Sequence, residues 1–220
     1  GIGPSSSHTI GPWRAANTFL NRFIQQGELK DVVAVKAEAF GSLAKTGKGH
    51  GTDIALIMGL SGADLQTFDT EELFPALEKV RSQKKIFLLG KHAVPFEEKD
   101  CIILNKKDTR AGHANTMELT LTLKNGDTFM ETYYSVGGGF ILRQGGSAQE
   151  RGEKASIPFP VNSAADMIRW HEEEHKSIVD ISLSNELRWR TAKQIHAQLR
   201  HIWQVMQHSI FIGCHEDGIL

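Results

Sequence analysis

Cysteine is scarce: Cys101 and Cys214 are the only 2 in 220 residues. Two thiols build no disulfide framework, and the default compartment for such a chain is a reducing cytoplasm. Nor do they supply the set of thiolates that usually holds an iron–sulfur cluster. An excess of charge of one sign is lacking too. The 25 Lys and Arg against 26 Asp and Glu leave a formal net charge of −1, so nothing argues for a nucleic-acid or anionic-membrane partner. No apolar run approaches the roughly 18 residues of a membrane span. No basic segment followed by an apolar one marks a signal peptide. Internal repeats and low-complexity tracts are also missing.

What is present is a globular composition, 40% hydrophobic and 23% charged, sufficient for one or two domains. From Pro12 to Gln26, Trp13, Ala16, Phe19, Leu20, Phe23 and Ile24 recur at helical spacing and Gly27 closes the segment. "DVVAVKAEAFG" predicts a strand, "GTDIALIMGLSG" a short buried helix opening at Thr52 or Asp53, and "TEELFPALEKVRSQ" a helix capped by Thr70. "KIFLLG" and "DCIILN" are short apolar strands. Met117, Leu119, Leu121 and Leu123 alternate before Asn125-Gly126, which predicts a hairpin with a type I′ turn. The fold class is therefore α+β: a small mixed or antiparallel sheet with a C-terminal hairpin and packed helices.

After Gln144 the composition turns polar and rich in Gly, Ser and Pro, as in a linker, and "NSAADMIRWHEEEHKS" follows as a helix capped by Asn162 or Ser163. A long amphipathic helix is expected from Ser184 to Ser209, with Leu187, Ile195, Leu199, Ile202 and Met206 as its apolar stripe. Such a helix needs a partner, so it is expected to begin a second, all-α domain that lies elsewhere in the protein or on another chain. The expected division is residues 1–145, a linker and short helix over 146–183, and the start of that domain over 184–220.

Several stretches carry possible chemistry. "GIGPSSSHTIGP" crowds Ser5, Ser6, Ser7, His8 and Thr9 before a helix. The plain reading is a helix cap; the other is a loop whose hydroxyls and backbone N–H groups hold a small anion such as a carboxylate. "GSLAKTGKGHGTD" sets Lys45, Lys48 and His50 among glycines but lacks the ending of a phosphate-binding P-loop. It reads as a surface loop, or as a loop offering the His50 imidazole, flanked by Gly49 and Gly51, as a general base. "DTRAGHANTMEL" places His113 and Asn115 at the entrance to the hairpin, where they shape a turn or project into a site. "YYSVGGGF" reads as a bulge or sharp bend at a strand end, or as a close backbone approach to a ligand or partner domain. His171 and His175 have zinc-compatible spacing, but the three glutamates between them favour a solvated helix face. Cys214 with His215 makes only two ligands, fewer than a zinc site uses, and Cys101 reads as core.

In series, "GIGPSSSHTIGP", "GSLAKTGKGHGTD", "HANTM" and "YYSVGGGF" closely resemble the bacterial iron–sulfur L-serine dehydratases, which are PLP-independent. The tail from Asn185 to Leu220 resembles the start of that family's α domain. The resemblance implies a β domain related to small-molecule-binding regulatory domains and conversion of L-serine to pyruvate and ammonia. It also implies a 4Fe-4S cluster in the complete enzyme, held by cysteines outside this chain. His50 is then the expected base, Ser5, Ser6, Ser7, His8 and Thr9 the expected substrate contacts, and His113 and Asn115 orient substrate or assist proton transfer. The chain becomes a fragment or one half of the enzyme, partnered by the α domain and assembled as a homodimer in the cytoplasm. The rival reading is a stand-alone amino-acid-binding regulatory module without catalysis.

Overall fold

A computed structural model describes residues 5–146 and 156–215, in two units, Gly1–Ser147 and Ala148–Leu220. The first unit opens with a π-helical turn, Ser6–Ile10, that runs into α1, Gly11–Phe23. Pro12 fits the first turn, where its missing N–H is not needed, and Trp13, Ala16, Phe19, Leu20 and Phe23 are all buried. Strand β1 (Val32–Phe40) leads into α2 (Gly41–Thr46) and α3 (Thr52–Leu60). Helix α3 is buried nearly all round, which is why its sequence is apolar without a stripe. Helix α4 (Leu73–Gln83), the hairpin β2 (Lys85–Leu88) and β3 (His92–Pro95), and the single turn α5 (Glu98–Cys101) follow, and β4 is Ile102–Asn105. The unit ends in β5 (Thr116–Leu123), β6 (Thr128–Gly137) and β7 (Phe140–Arg143).

The main sheet has the order β4-β1-β5-β6-β7. Strand β4 runs parallel to β1, and the remaining pairs are antiparallel. Val35, Ala37 and Ala39 of β1 pair with Leu121, Leu119 and Met117 of β5, and all six are buried. The sheet thus has one apolar face, covered by helices, and one polar face where Lys36 and Arg110 meet Glu38 and Glu118. This is the α+β class that the sequence predicts.

Details differ. The hairpin forms, but Asn125 is not left-handed; only Gly126 is, at φ 88°. Gly126 N–H bonds Leu123 C=O and Leu123 N–H bonds Asp127 C=O, giving a three-residue loop built on a type I turn rather than type I′. Asp69, not Thr70, caps the turn before α4, its carboxylate accepting from Glu71 N–H. The pairing of β2 with β3 has almost no sequence signature, since only Val94 of β3 is buried.

In the second unit, Ser163 caps α6 (Ala164–Glu174) and Ser177 caps α7 (Ile178–Glu186), each in a capping box. The expected linker lies partly outside the described residues. The long helix starts later than expected: α8 is Ala192–His215, because Thr191 and Gln194 form a capping box of their own. Ser184 therefore belongs to α7, and Leu187 lies between helices rather than in the stripe. Leu199, Ile202, Trp203, Met206, Ile210 and Phe211 are exposed along α8. His175 ends α6 in a left-handed conformation, which breaks the helical spacing from His171. Among the described residues no three His, Cys, Asp or Glu side chains gather to hold a metal ion. No described helix is long and apolar enough to cross a membrane.

Helices α1 and α3 pack closely against each other. A Cβ on Gly59 would lie 2.3 Å from the Trp13 carbonyl oxygen and 2.8 Å from Ala16 Cβ. Gly59→Ala should therefore lower stability by about 1–3 kcal/mol of overpacking, more than the roughly 1 kcal/mol that alanine adds in helix propensity. Thermal melting of the variant reads this directly. A melting temperature at or above wild type would refute the close packing.

Candidate active site

The polar N-terminal stretch forms the π-helical turn, with Gly11 N–H bonded to the Ser6 carbonyl. Such turns are rare and cluster at functional sites. Here the extra residue turns the serines around one imidazole. Ser7 Oγ lies 3.0 Å and Ser5 Oγ 3.4 Å from His8 Nδ1, and the two hydroxyls are 3.3 Å apart. His8 Nε2 meets the Ser42 hydroxyl of α2 at 3.1 Å. Ser6 is exposed, while His8 and Thr9 are buried.

The glycine-rich loop between α2 and α3 packs against this turn. Gly51, at φ 66°, swings the chain into α3. His50 Nδ1 lies 2.9 Å from the Thr46 carbonyl oxygen. A carbonyl only accepts, so Nδ1 carries the proton and Nε2 keeps its lone pair. The His8 and His50 ring centroids are 4.9 Å apart. Thr9 donates its hydroxyl to the His50 carbonyl at 2.8 Å, and Thr52 donates to the His8 carbonyl at 2.6 Å. Lys48 is not a free cation: its ammonium pairs with the buried Asp53 carboxylate and lies 3.7 Å from Glu98, which also pairs with Arg81. Lys45 is exposed.

At the hairpin entrance, His113 Nδ1 accepts the Asn115 N–H at 3.0 Å, so this ring carries its proton on Nε2, the tautomer opposite to that of His50. The Asn115 side-chain amide donates to the Ser135 carbonyl at 3.2 Å. Its Oδ1 is buried with no protein partner. Two serines join the entrance to the other segments. Ser42 N–H bonds the Ala114 carbonyl at 2.8 Å, and the fully buried Ser135 gives its hydroxyl to the Ser7 carbonyl at 2.7 Å. Gly11 is the counterpart of Ser135: a Cβ there would lie 2.0 Å from the Ser135 oxygen. The structure thus brings Ser5, Ser7, His8, Thr9 and His50 into contact and ties Asn115 to them through Ser135. No hydrogen bond among the described residues joins the His113 ring to His8 or His50.

Ser42, Thr52 and Ser135 escape a reading of the sequence. Ser135 had a signal, a small hydroxyl at an inward position of an alternating strand. Ser42 and Thr52 read simply as residues at helix starts.

Burial is the main force on His8, and the neighbouring His50 imidazole adds to it. Together they hold the His8 pKa below the ordinary histidine value, against a smaller opposing effect from Ser42. Burial likewise raises the Cys101 thiol, which therefore stays protonated and a poor metal ligand.

The sequence model for the serine dehydratase beta chain matches residues 1–146, the span that contains every one of these contacts. The chain belongs to that family. Its relatives include L-serine dehydratase 2 of Escherichia coli K12, 36% identical over 221 residues. The L-serine dehydratases of Streptomyces coelicolor and Mycobacterium tuberculosis are 36% and 38% identical over 223 and 207 residues. These alignments cover 100%, 100% and 94% of this chain but 48%, 49% and 45% of the relatives. The chain spans about half the length of the curated relatives it matches.

Within the serine dehydratase beta chain region, the lowered His8 pKa has a consequence for stability. The unfolded chain takes up the proton first, at about pH 6.5. The contribution of neutral His8 is complete above that value and is lost as pH falls through the lowered folded-state pKa. Melting curves of wild type and His8→Gln between about pH 7 and pH 5 check this. The variant should lose less stability on acidification, and parallel acid limbs would exclude His8 as the source.

Proposed function

We propose that this chain is the substrate-handling half of an L-serine dehydratase, which converts L-serine to pyruvate and ammonia. The observation that carries the reading is His50. Its Nδ1 proton is committed to Thr46 and its ring stands 4.9 Å from that of His8, which the Ser5 and Ser7 hydroxyls flank. Relatives named L-serine dehydratase support the reaction class.

In this reading the carboxylate of serine is held by Ser5, Ser6 and Ser7 together with the N–H groups at the start of the helix, where the dipole favours an anion. His8 orders the Ser5 and Ser7 hydroxyls. Thr9 acts from behind, through the His50 carbonyl. His50 Nε2 takes the Cα proton. Loss of that proton and of the β-hydroxyl yields an enamine and water, and hydrolysis of the enamine gives pyruvate and ammonia. His113, its Nε2 proton available as a donor, and Asn115 orient the substrate.

The 4Fe-4S cluster that the family resemblance implies would supply Lewis acidity for the departing hydroxyl. The thiols described here do not fit it, because Cys101 is half-buried with a raised pKa and Cys214 stands alone on α8. The cluster's cysteines accordingly lie outside this chain. Residues 1–145 form the β domain, the stretch through α6 and α7 leads on from it, and α8 begins the α domain, whose remainder covers the exposed face of α8. The enzyme works as a cytoplasmic homodimer, and this chain by itself neither holds a cluster nor turns over serine.

The test is His50→Ala in the complete, cluster-loaded enzyme. A general base contributes about 10²–10⁴-fold in rate, so kcat should fall by that factor while the cluster absorption still responds to added serine. His113→Ala and Asn115→Ala should reduce turnover with cluster content unchanged. Near-normal turnover in His50→Ala would remove it as the base. If the chain binds serine but forms no pyruvate with the complementary cysteine-containing part, the regulatory-module reading takes its place.

A further inference from the structure

Thr9 and Thr52 sit beside the two histidines and exchange hydrogen bonds crosswise. Thr9, next to His8, donates to the carbonyl of His50; Thr52, two residues after His50, donates to the carbonyl of His8. The distances are 2.8 and 2.6 Å. The two threonines are 2% and 0% exposed, so a substrate does not reach either hydroxyl in this structure. One bond between two segments leaves them free to pivot. Two bonds running in opposite directions fix both separation and rotation. Threonine suits this use, because its β-branch limits χ1 and presents the hydroxyl in few directions.

We infer that Thr9 and Thr52 form a reciprocal clamp that sets the spacing of the His8 and His50 rings, which makes both threonines positioning residues for the base. The inference rests on the reading of His50 as that base. Ring spacing matters in two ways. A misplacement of about 1 Å in a catalytic group costs up to about 10²-fold in rate. Two imidazoles this close also disfavour double protonation. The groups that face His8 are the His50 imidazole from the glycine loop, the Ser42 hydroxyl from α2, and the Ser5 and Ser7 hydroxyls from its own turn. Lys48, the nearby cation of the loop, is paired with Asp53.

The experiment compares Thr9→Val, Thr52→Val, Thr9→Ser and Thr52→Ser in the complete cluster-loaded enzyme. Valine keeps the shape and removes the hydroxyl; serine keeps the hydroxyl and removes the methyl. Each valine variant should lose about 10–10²-fold in kcat with KM within about twofold, and each serine variant should recover to within about threefold of wild type. Wild-type kcat in both valine variants overturns the clamp. So does serine behaving like valine, since packing rather than the hydroxyl would then be at work.

A second readout keeps the clamp separable from the base assignment. The His8 titration midpoint is followed by NMR of the ring carbon between its nitrogens. His50→Ala should raise that midpoint by removing the neighbouring imidazole, and both valine variants should move it in the same direction as the rings part. If His50→Ala keeps full turnover, the base assignment falls, and the clamp is then judged on the midpoint alone. A His8 midpoint unchanged in both valine variants overturns the clamp whatever the kinetics.

Discussion

The contact between α1 and α3 governs the geometry of the site. Two points fix it. The Thr52 hydroxyl reaches the His8 carbonyl at the start of α3, and Gly59 lets the later part of α3 close on the Trp13 carbonyl. A larger residue at the second point would lever the helices apart and open the first. The serine-rich turn and the glycine loop lie at the beginnings of these two helices. Their meeting therefore rests on core packing as well as on the hydrogen bonds between the two segments. Both histidine-bearing segments are mounted on buried, apolar helices, and functional groups hold their geometry best on such supports.

The polar contacts around the histidines are main-chain to side-chain bonds for the most part. Hydroxyls of Thr9, Thr52 and Ser135 each satisfy a carbonyl of a neighbouring segment. Leaving such a carbonyl buried and unpaired costs about 1–3 kcal/mol, so each bond matters more by its loss than by its net gain. The bonds that order the two rings differ in kind. His50 has its proton placed by a carbonyl, whereas His8 sits among hydroxyls that both donate and accept. The first ring is committed to one tautomer; the second is free to exchange its tautomer with its neighbours. Burial holds the pKa of that second ring below the ordinary histidine value.

Much of this architecture was legible in the residues. The alternation of Met117, Leu119 and Leu121 marks β5 because one face of the sheet is buried, and the all-apolar stretch of α3 marks a helix with no solvent side. The type of the hairpin turn was not legible: alternation sets the strands but not the loop length, and Asn-Gly fits more than one loop. The start of α8 was misplaced because the apolar spacing continues through Leu187, while the capping box at Thr191 and Gln194 that ends the preceding segment is a local polar signal. In the site, the hydroxyl-rich turn and the glycine-flanked His50 stood out by composition. Their adjacency did not, since Thr9 and His50 are separated by 41 positions and nothing local links them. The inward turn of the Thr9 hydroxyl was equally hidden: side-chain direction at a helix start depends on the π-helical register, and the residue types do not announce it.

The bond from Ser135 to the Ser7 carbonyl joins positions 128 residues apart. A contact of such sequence separation carries a large loop-closure cost and forms late. A nascent or partly collapsed chain can make α1, α3 and the β5–β6 hairpin locally and still lack this tie. The turn that carries His8 is thus secured only when the last strands dock on it, which couples completion of the candidate site to completion of the fold.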